Sequence, residues 1–155
     1  MTADTAPSLT AWLQFLRGDS SEVFSSEQSV GVESPVIWFP EYFEPRYAYP
    51  LIVWVQAPGR TADADFRVAM EAISERNYMG IALRTTLFNA ADDATDYAQL
   101  AGRLRHLVGM VRRKQNIHGE RIFIGGVGRA ATIALRLGLS QPQWFAGVIA
   151  PGAEV

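Results

Sequence analysis

Residues 121–135 read RIFIGGVGRAATIAL. An apolar run, Ile122 to Gly125, leads into three glycines in four positions, and an alanine-rich apolar stretch follows at once. A strand without polar alternation is buried on both faces, as in a parallel sheet. Glycines let the backbone take left-handed angles and approach its neighbours closely. A small-residue helix that opens directly after such a turn must pack back onto the sheet it left. This one segment therefore demands a strand, a sharp reversal and a helix in contact, which restricts the chain to α/β architectures.

The rest of the sequence keeps that rhythm from Pro50 onward. Leu51 to Val55 (LIVWV) is continuously apolar and ends in the turn Gln56-Ala57-Pro58-Gly59. Ala62 to Glu75 has helical spacing, with Phe66, Ala69, Met70 and Ile73 on one face. Tyr78 to Leu83 predicts a second buried strand. Asp96 to Lys114 carries Tyr97, Leu100, Leu104, Leu107, Val108 and Val111 at i, i+3, i+4, i+7 spacing and predicts the longest helix. The segment containing His118 reads as a loop, then come strand Ile122 to Gly125, a buried helix from Arg129 to Leu139, and strand Phe145 to Ala150. Upstream, Val36 to Phe39 lies between Pro35 and Pro40 and reads as an edge strand. Strands alternating with helices imply a parallel sheet joined by right-handed crossovers. The expected fold is three-layer α/β: a mostly parallel sheet of about five strands with helices on both faces.

Residues 1–34 read as a separate N-terminal helix and linker, and 35–155 as the α/β domain. Ser8 to Leu16 (SLTAWLQFL) places Leu9, Trp12, Leu13 and Leu16 on one helical face, with Gly18 as a stop. Asp19 to Ser29 is rich in Ser and Glu and reads as surface loop.

Composition excludes several classes of function. Hydrophobic residues are 48% and charged residues 19% of the 155, which is enough for a core and unlike a disordered chain. A net charge of −2 does not supply the basic face that nucleic acid requires. There is no cysteine, so thiol catalysis and Cys-ligated metals are excluded. His106 and His118 stand far apart without a clustered carboxylate, so no metal site is expected. No apolar run reaches the roughly 20 residues of a membrane span. The N-terminus lacks a basic and an apolar signal region, which leads to an expectation of cytoplasmic location.

With those residues in place, the chain resembles the α/β-hydrolase superfamily, in its phospholipase/carboxylesterase-like branch. YPLIVWVQAPG resembles the strand and oxyanion loop of that branch. NIHGERIFIGGVGRAATIALRLGLSQPQWFAGVIAPGA resembles its strand, nucleophile elbow, helix and next strand. The resemblance implies an elbow G-x-S-x-G laid over Gly126, Val127, Gly128, Arg129 and Ala130. The nucleophile position is then Gly128, which has no hydroxyl. Gln56 stands where the oxyanion-loop His is expected, although Gly59 remains, and the acid and base of the family would lie beyond Val155. The resemblance therefore implies a domain truncated after the strand that follows the elbow, lacking nucleophile, acid and base, and serving as a binding or assembly module.

Other readings stay open at this stage. An active ester hydrolase could be completed by another chain, or use Thr85 or Thr86. Gly126-Val127-Gly128-Arg129-Ala130-Ala131 also fits the dinucleotide pattern G-x-G-x-x-A, although the acidic residue expected at the end of the next strand is absent. Arg60, Arg84 and Arg129 could gather beside a helix N-terminus and hold a small anion. The candidate ligand residues are Arg84, Gly126, Gly128 and Arg129; no cofactor is implied. An open edge on Phe145–Ala150, or exposure of the N-terminal aromatics, would favour a homodimer or a protein partner.

Overall fold

A computed structural model describes residues 36–86 and 94–154. The expected helix Ser8–Leu16 and the linker Asp19–Ser29 lie outside the described residues. Five strands form one sheet: β1 (Ile37–Trp38), β2 (Tyr49–Gln56), β3 (Met79–Arg84), β4 (Ile117–Gly125) and β5 (Gly147–Ile149). The helices are α1 (Ala62–Ile73), α2 (Ala94–Lys114) and α3 (Arg129–Ser140). The strand order is β1-β3-β2-β4-β5, with β1 antiparallel to β3 and the other pairs parallel.

Handedness explains the layers. From β2 to β3 the chain steps to one side; from β3 to β4 and from β4 to β5 it steps to the other. Right-handed crossovers then force α1 onto one face and both α2 and α3 onto the opposite face. The buried clusters follow that division. Leu51, Val53, Val55, Ile81, Leu83 and Ile124 pack with Leu104 and Val108 of α2 and Ile133 and Leu137 of α3. Ile52, Trp54 and Ala82 pack with Phe66 and Met70 of α1. Odd and even positions of β2 thus point to different layers, the period-2 geometry of a strand. Every residue of β2 is buried, as its unbroken apolar run predicts for the central strand.

Several boundaries move relative to the sequence reading. The strand before the glycine turn begins at Ile117 rather than Ile122, so His118 lies in β4 and not in a loop. Its first residues pair with β2 across an irregularity between Tyr49 and Leu51. Pro50 lies between those two, and a proline has no N–H to give the ladder. Extended backbone continues there on register that periodicity alone does not reveal. The last strand shrinks from the expected Phe145–Ala150 to Gly147–Ile149, and the first from Val36–Phe39 to Ile37–Trp38. Among the described residues both edge strands are therefore short, a form of edge that resists pairing with another chain.

The aromatics between β1 and β2 divide. Phe39 meets Phe43 edge-on at 4.9 Å, and Phe43 stacks on Tyr49 at 5.4 Å. Tyr42 and Tyr47 remain 81% and 53% exposed.

Candidate functional site

In an open α/β sheet, ligands bind outside the C-terminal ends of strands, where adjacent strands send their connections to opposite faces. Here that point lies between β2, which leads to α1, and β4, which leads to α3. The two loops that meet there are Gln56–Thr61 and Gly126–Gly128.

The second loop is a turn of unusual geometry. Gly128 has φ 62° and ψ −125°, and α3 starts at the next residue. Side chains rarely adopt a positive φ of that kind, and holding one there costs on the order of 1–3 kcal/mol. The reversal is tight on its inner side. A Cβ added at Gly126 would lie 2.8 Å from the carbonyl carbon and oxygen of Ala130 and 2.9 Å from its Cβ. Both positions must be small for β4 to turn directly into α3. A Cβ added at Gly128, by contrast, would meet nothing within 4 Å. The turn thus presents its central residue to open space, and that residue brings no atom to it.

Backbone bonds hold the turn. Gly126 N–H donates to Ile149 O at 3.0 Å, and Gly128 N–H donates to Pro151 O at 3.2 Å. The tail after β5 returns over the turn, where Gly152 has φ 77° and Glu154 N–H donates to Thr132 Oγ1 at 2.9 Å. Ala131 and Thr132 N–H groups donate to Gly128 O. The earlier N–H groups of α3 belong to the first turn, which has no intrahelical acceptors and carries the positive end of the helix dipole.

On the β2 side, Gln56 is 9% exposed and its Nε2 donates to Ala62 O at 2.9 Å. Its Oε1 is buried and has no partner among the described residues. Thr85 N–H donates to Gln56 O at 3.0 Å, which ties the ends of β2 and β3 together. Gly59 does not have a positive φ, and an added Cβ there would meet nothing within 4 Å, so this position does not demand glycine.

The other expected residues distribute around the site rather than converging on it. Arg84 turns to Asp63 in the first turn of α1 and forms an ion pair with it. Its backbone O accepts a hydrogen bond from Arg103 Nη2 at 2.8 Å. Arg60 and Arg129 are exposed, and no ion pair joins either to a described residue. Thr85 is 4% exposed and Thr86 lies at the surface. His106 is exposed on α2. His118 sits near the start of β4, about 20 Å of strand away from the turn that follows its end, and its Nδ1 accepts a hydrogen bond from Glu120 N–H at 3.3 Å. No hydroxyl, imidazole and carboxylate come together at the strand ends among the described residues. No group of three or more His, Asp or Glu that could hold a metal occurs among them either.

A groove of about 490 Å3 does open at this end of the sheet. It runs from Gln56 and Ala57, past Val127 and Ala130, down the flank of α1 at Asp65, Val68, Ala69 and Ala72, with Trp54 in its floor. Val68 and Val127 are 65% and 62% exposed. The periodicity of α1 points to its core face through Phe66, Met70 and Ile73. The second stripe through Val68 and Ala72 was the available signal for the groove, and nothing in the sequence says where it faces.

Three solved structures are similar to this chain in fold. A thermostable esterase aligns with TM-score 0.54 and 16% identity over 75% of this chain and 36% of its own. A candidate dipeptidyl aminopeptidase IV from Bacteroides ovatus gives 0.57 and 18% over 74% of this chain and 18% of its own. The CE1 ferulic acid esterase of the fungus Anaeromyces mucronatus, without substrate, gives 0.51 and 10% over 80% and 60%. The chain has the α/β-hydrolase fold. At these identities the likeness concerns the fold alone, and the chain spans less than two thirds of each of these proteins. No protein-family model matches the chain, and no curated protein matches it by sequence.

Proposed function

We propose that this chain is a catalytically inactive α/β-hydrolase-like domain, of phospholipase/carboxylesterase type, that works as a binding or assembly module. The observation that supports the reading is the turn from β4 into α3: Gly128, at φ 62° and ψ −125°, stands where a nucleophile elbow would carry its reactive residue, and it has no side chain. Ester hydrolysis through a serine requires an attacking oxygen, an imidazole to take its proton and a carboxylate to orient that imidazole. At the elbow the first is missing, and His106 and His118 are both remote from it. What survives is a scaffold with N–H donors at the start of α3 and an apolar groove beside them, which suits recognition rather than turnover.

The module's partner, or a second copy, would use the edge of β5 or the corner where Tyr42 and Tyr47 stand exposed.

The test is a hydrolysis assay. Purified protein with p-nitrophenyl acetate or butyrate should match the buffer blank. Gly128→Ser should stay within a few-fold of it, because a serine without a base is a weak nucleophile. Multiple turnovers by the wild-type protein that vanish on unfolding would overturn the reading.

A further inference from the structure

The groove beside α1 is apolar and open on one side. No described helix covers β4 or β5 on the α1 face, where Phe123 and Ile149 lie half-buried beside Trp54. Along α1 the lining residues Asp65, Val68, Ala69 and Ala72 follow i, i+3, i+4, i+7, so they form a ridge of the kind against which a second helix packs. The ridge from Asp65 to Ala72 is about 10 Å long at 1.5 Å per residue.

We infer that this groove is the seat of the chain's own N-terminal segment, Ser8 to Leu16. Four observations select that occupant. Leu9, Trp12, Leu13 and Leu16 repeat at the same i, i+3, i+4, i+7 spacing as the ridge, so the apolar stripe matches the ridge in length and period. Ser8–Leu16 contains no charged residue, and among the described residues that line the groove the one ionisable side chain, Asp65, is at the exposed end of the ridge and accepts a hydrogen bond from Thr61 Oγ1 at 2.9 Å. The segment rejoins the described chain at Val36, whose side chain packs with Trp38 on the same face of the sheet as the groove. Between Leu16 and Val36 the chain can extend to about 65 Å, ample to cross the sheet.

Tethering settles the choice between this segment and a second copy. A tether of this length holds its end at an effective concentration on the order of millimolar, well above that of a second molecule at micromolar protein. The inference rests on the fold and the groove, and stands whether or not the domain is catalytically inactive.

The absence of cysteine makes a direct test available. Two full-length double variants are compared under mild oxidation: Leu13→Cys with Val68→Cys in the groove, and Leu13→Cys with Arg113→Cys on the opposite face. The groove pair is expected to form an intramolecular disulfide at least tenfold faster than the control pair, running as a monomer on a non-reducing gel. Equal rates for the two pairs would overturn the inference. Predominant disulfide-linked dimers would overturn it too, and assign the groove to a second copy. A disulfide-independent readout accompanies this. The full chain carrying Trp12→Asp with Leu13→Asp should bind more of an apolar dye such as ANS than the wild-type chain, and Val68→Asp should remove most of the difference. Dye binding unchanged by the Trp12→Asp and Leu13→Asp substitutions would overturn the inference.

Discussion

At the residue scale, Gly126 and Gly128 are required for opposite reasons. Gly126 is crowded by Ala130, and Gly128 is unconstrained in space but held at a positive φ. Gly126→Ala should therefore destabilise by overpacking, by about 1–3 kcal/mol. Gly128→Ser should cost a similar amount, about 1–3 kcal/mol, through backbone strain alone. Denaturant melts measure both, and a third variant tells the causes apart. Ala130→Gly removes the Cβ that Gly126→Ala strikes and should recover part of that loss, because contacting residues are not additive. It should recover none of the loss from Gly128→Ser. Equal recovery in both backgrounds would mean that the turn responds as one strained unit.

At the scale of elements, α3 bears on β5 through Gly138. A Cβ at Gly138 would collide with Cγ2 of Val148 and come within 3.3 Å of Cγ2 of Ile124. Val148 belongs to the edge strand and can yield; Ile124, in β4, is fully buried and cannot. Gly138→Ala is expected to destabilise by about 1–3 kcal/mol. Val148→Ala in the same chain should return part of that cost, with a coupling of at least about 0.5 kcal/mol in a double-mutant cycle. Strict additivity would show that the helix, not the strand, moves to absorb the clash. β5 pairs with β4 over Gly147–Ile149, and backbone bonds flank the pairing: Ala146 N–H donates to Ile122 O before the strand, and Gly126 N–H donates to Ile149 O at its end.

At the scale of the whole molecule, the question is what covers the open surfaces. Among the described residues the sheet ends in a two-residue strand on one side and a three-residue strand on the other. Short edges offer few unpaired backbone groups to a partner. If assembly nevertheless uses β5, Val148→Lys should abolish it. If it uses the aromatic corner, Tyr42→Ala with Tyr47→Ala should do so and Val148→Lys should not. Sedimentation velocity at micromolar concentration distinguishes the cases. A wild-type monomer at all concentrations would exclude self-assembly and leave a different protein as the partner.

Much of this architecture is legible from residues alone, for a physical reason. LIVWV and IFIG lack polar alternation because the strands are buried on both faces, and the apolar spacing of Tyr97 to Val111 reflects one helical face on one core. Strand and helix identities follow from such local periods, and the α/β rhythm follows from their order. The glycine turn is equally local, since small residues at Gly126 and Ala130 are needed wherever a strand turns at once into a helix. The ends of the elements were not legible. The register of β2 against β4 shifts between Tyr49 and Leu51, in strands far apart in sequence, and β5 covers only Gly147–Ile149 of a longer apolar run. Nor could a list of arginines show that Arg84 turns to Asp63, leaving Arg60 and Arg129 with no ion pair to a described residue. What the sequence determines by itself is the fold class and the absence of a hydroxyl at Gly128. The tertiary structure alone decides that Gly128 takes a positive φ and faces open space, and that Val68 and Ala72 line a groove, because facing across a fold is set by packing and not by spacing along the chain.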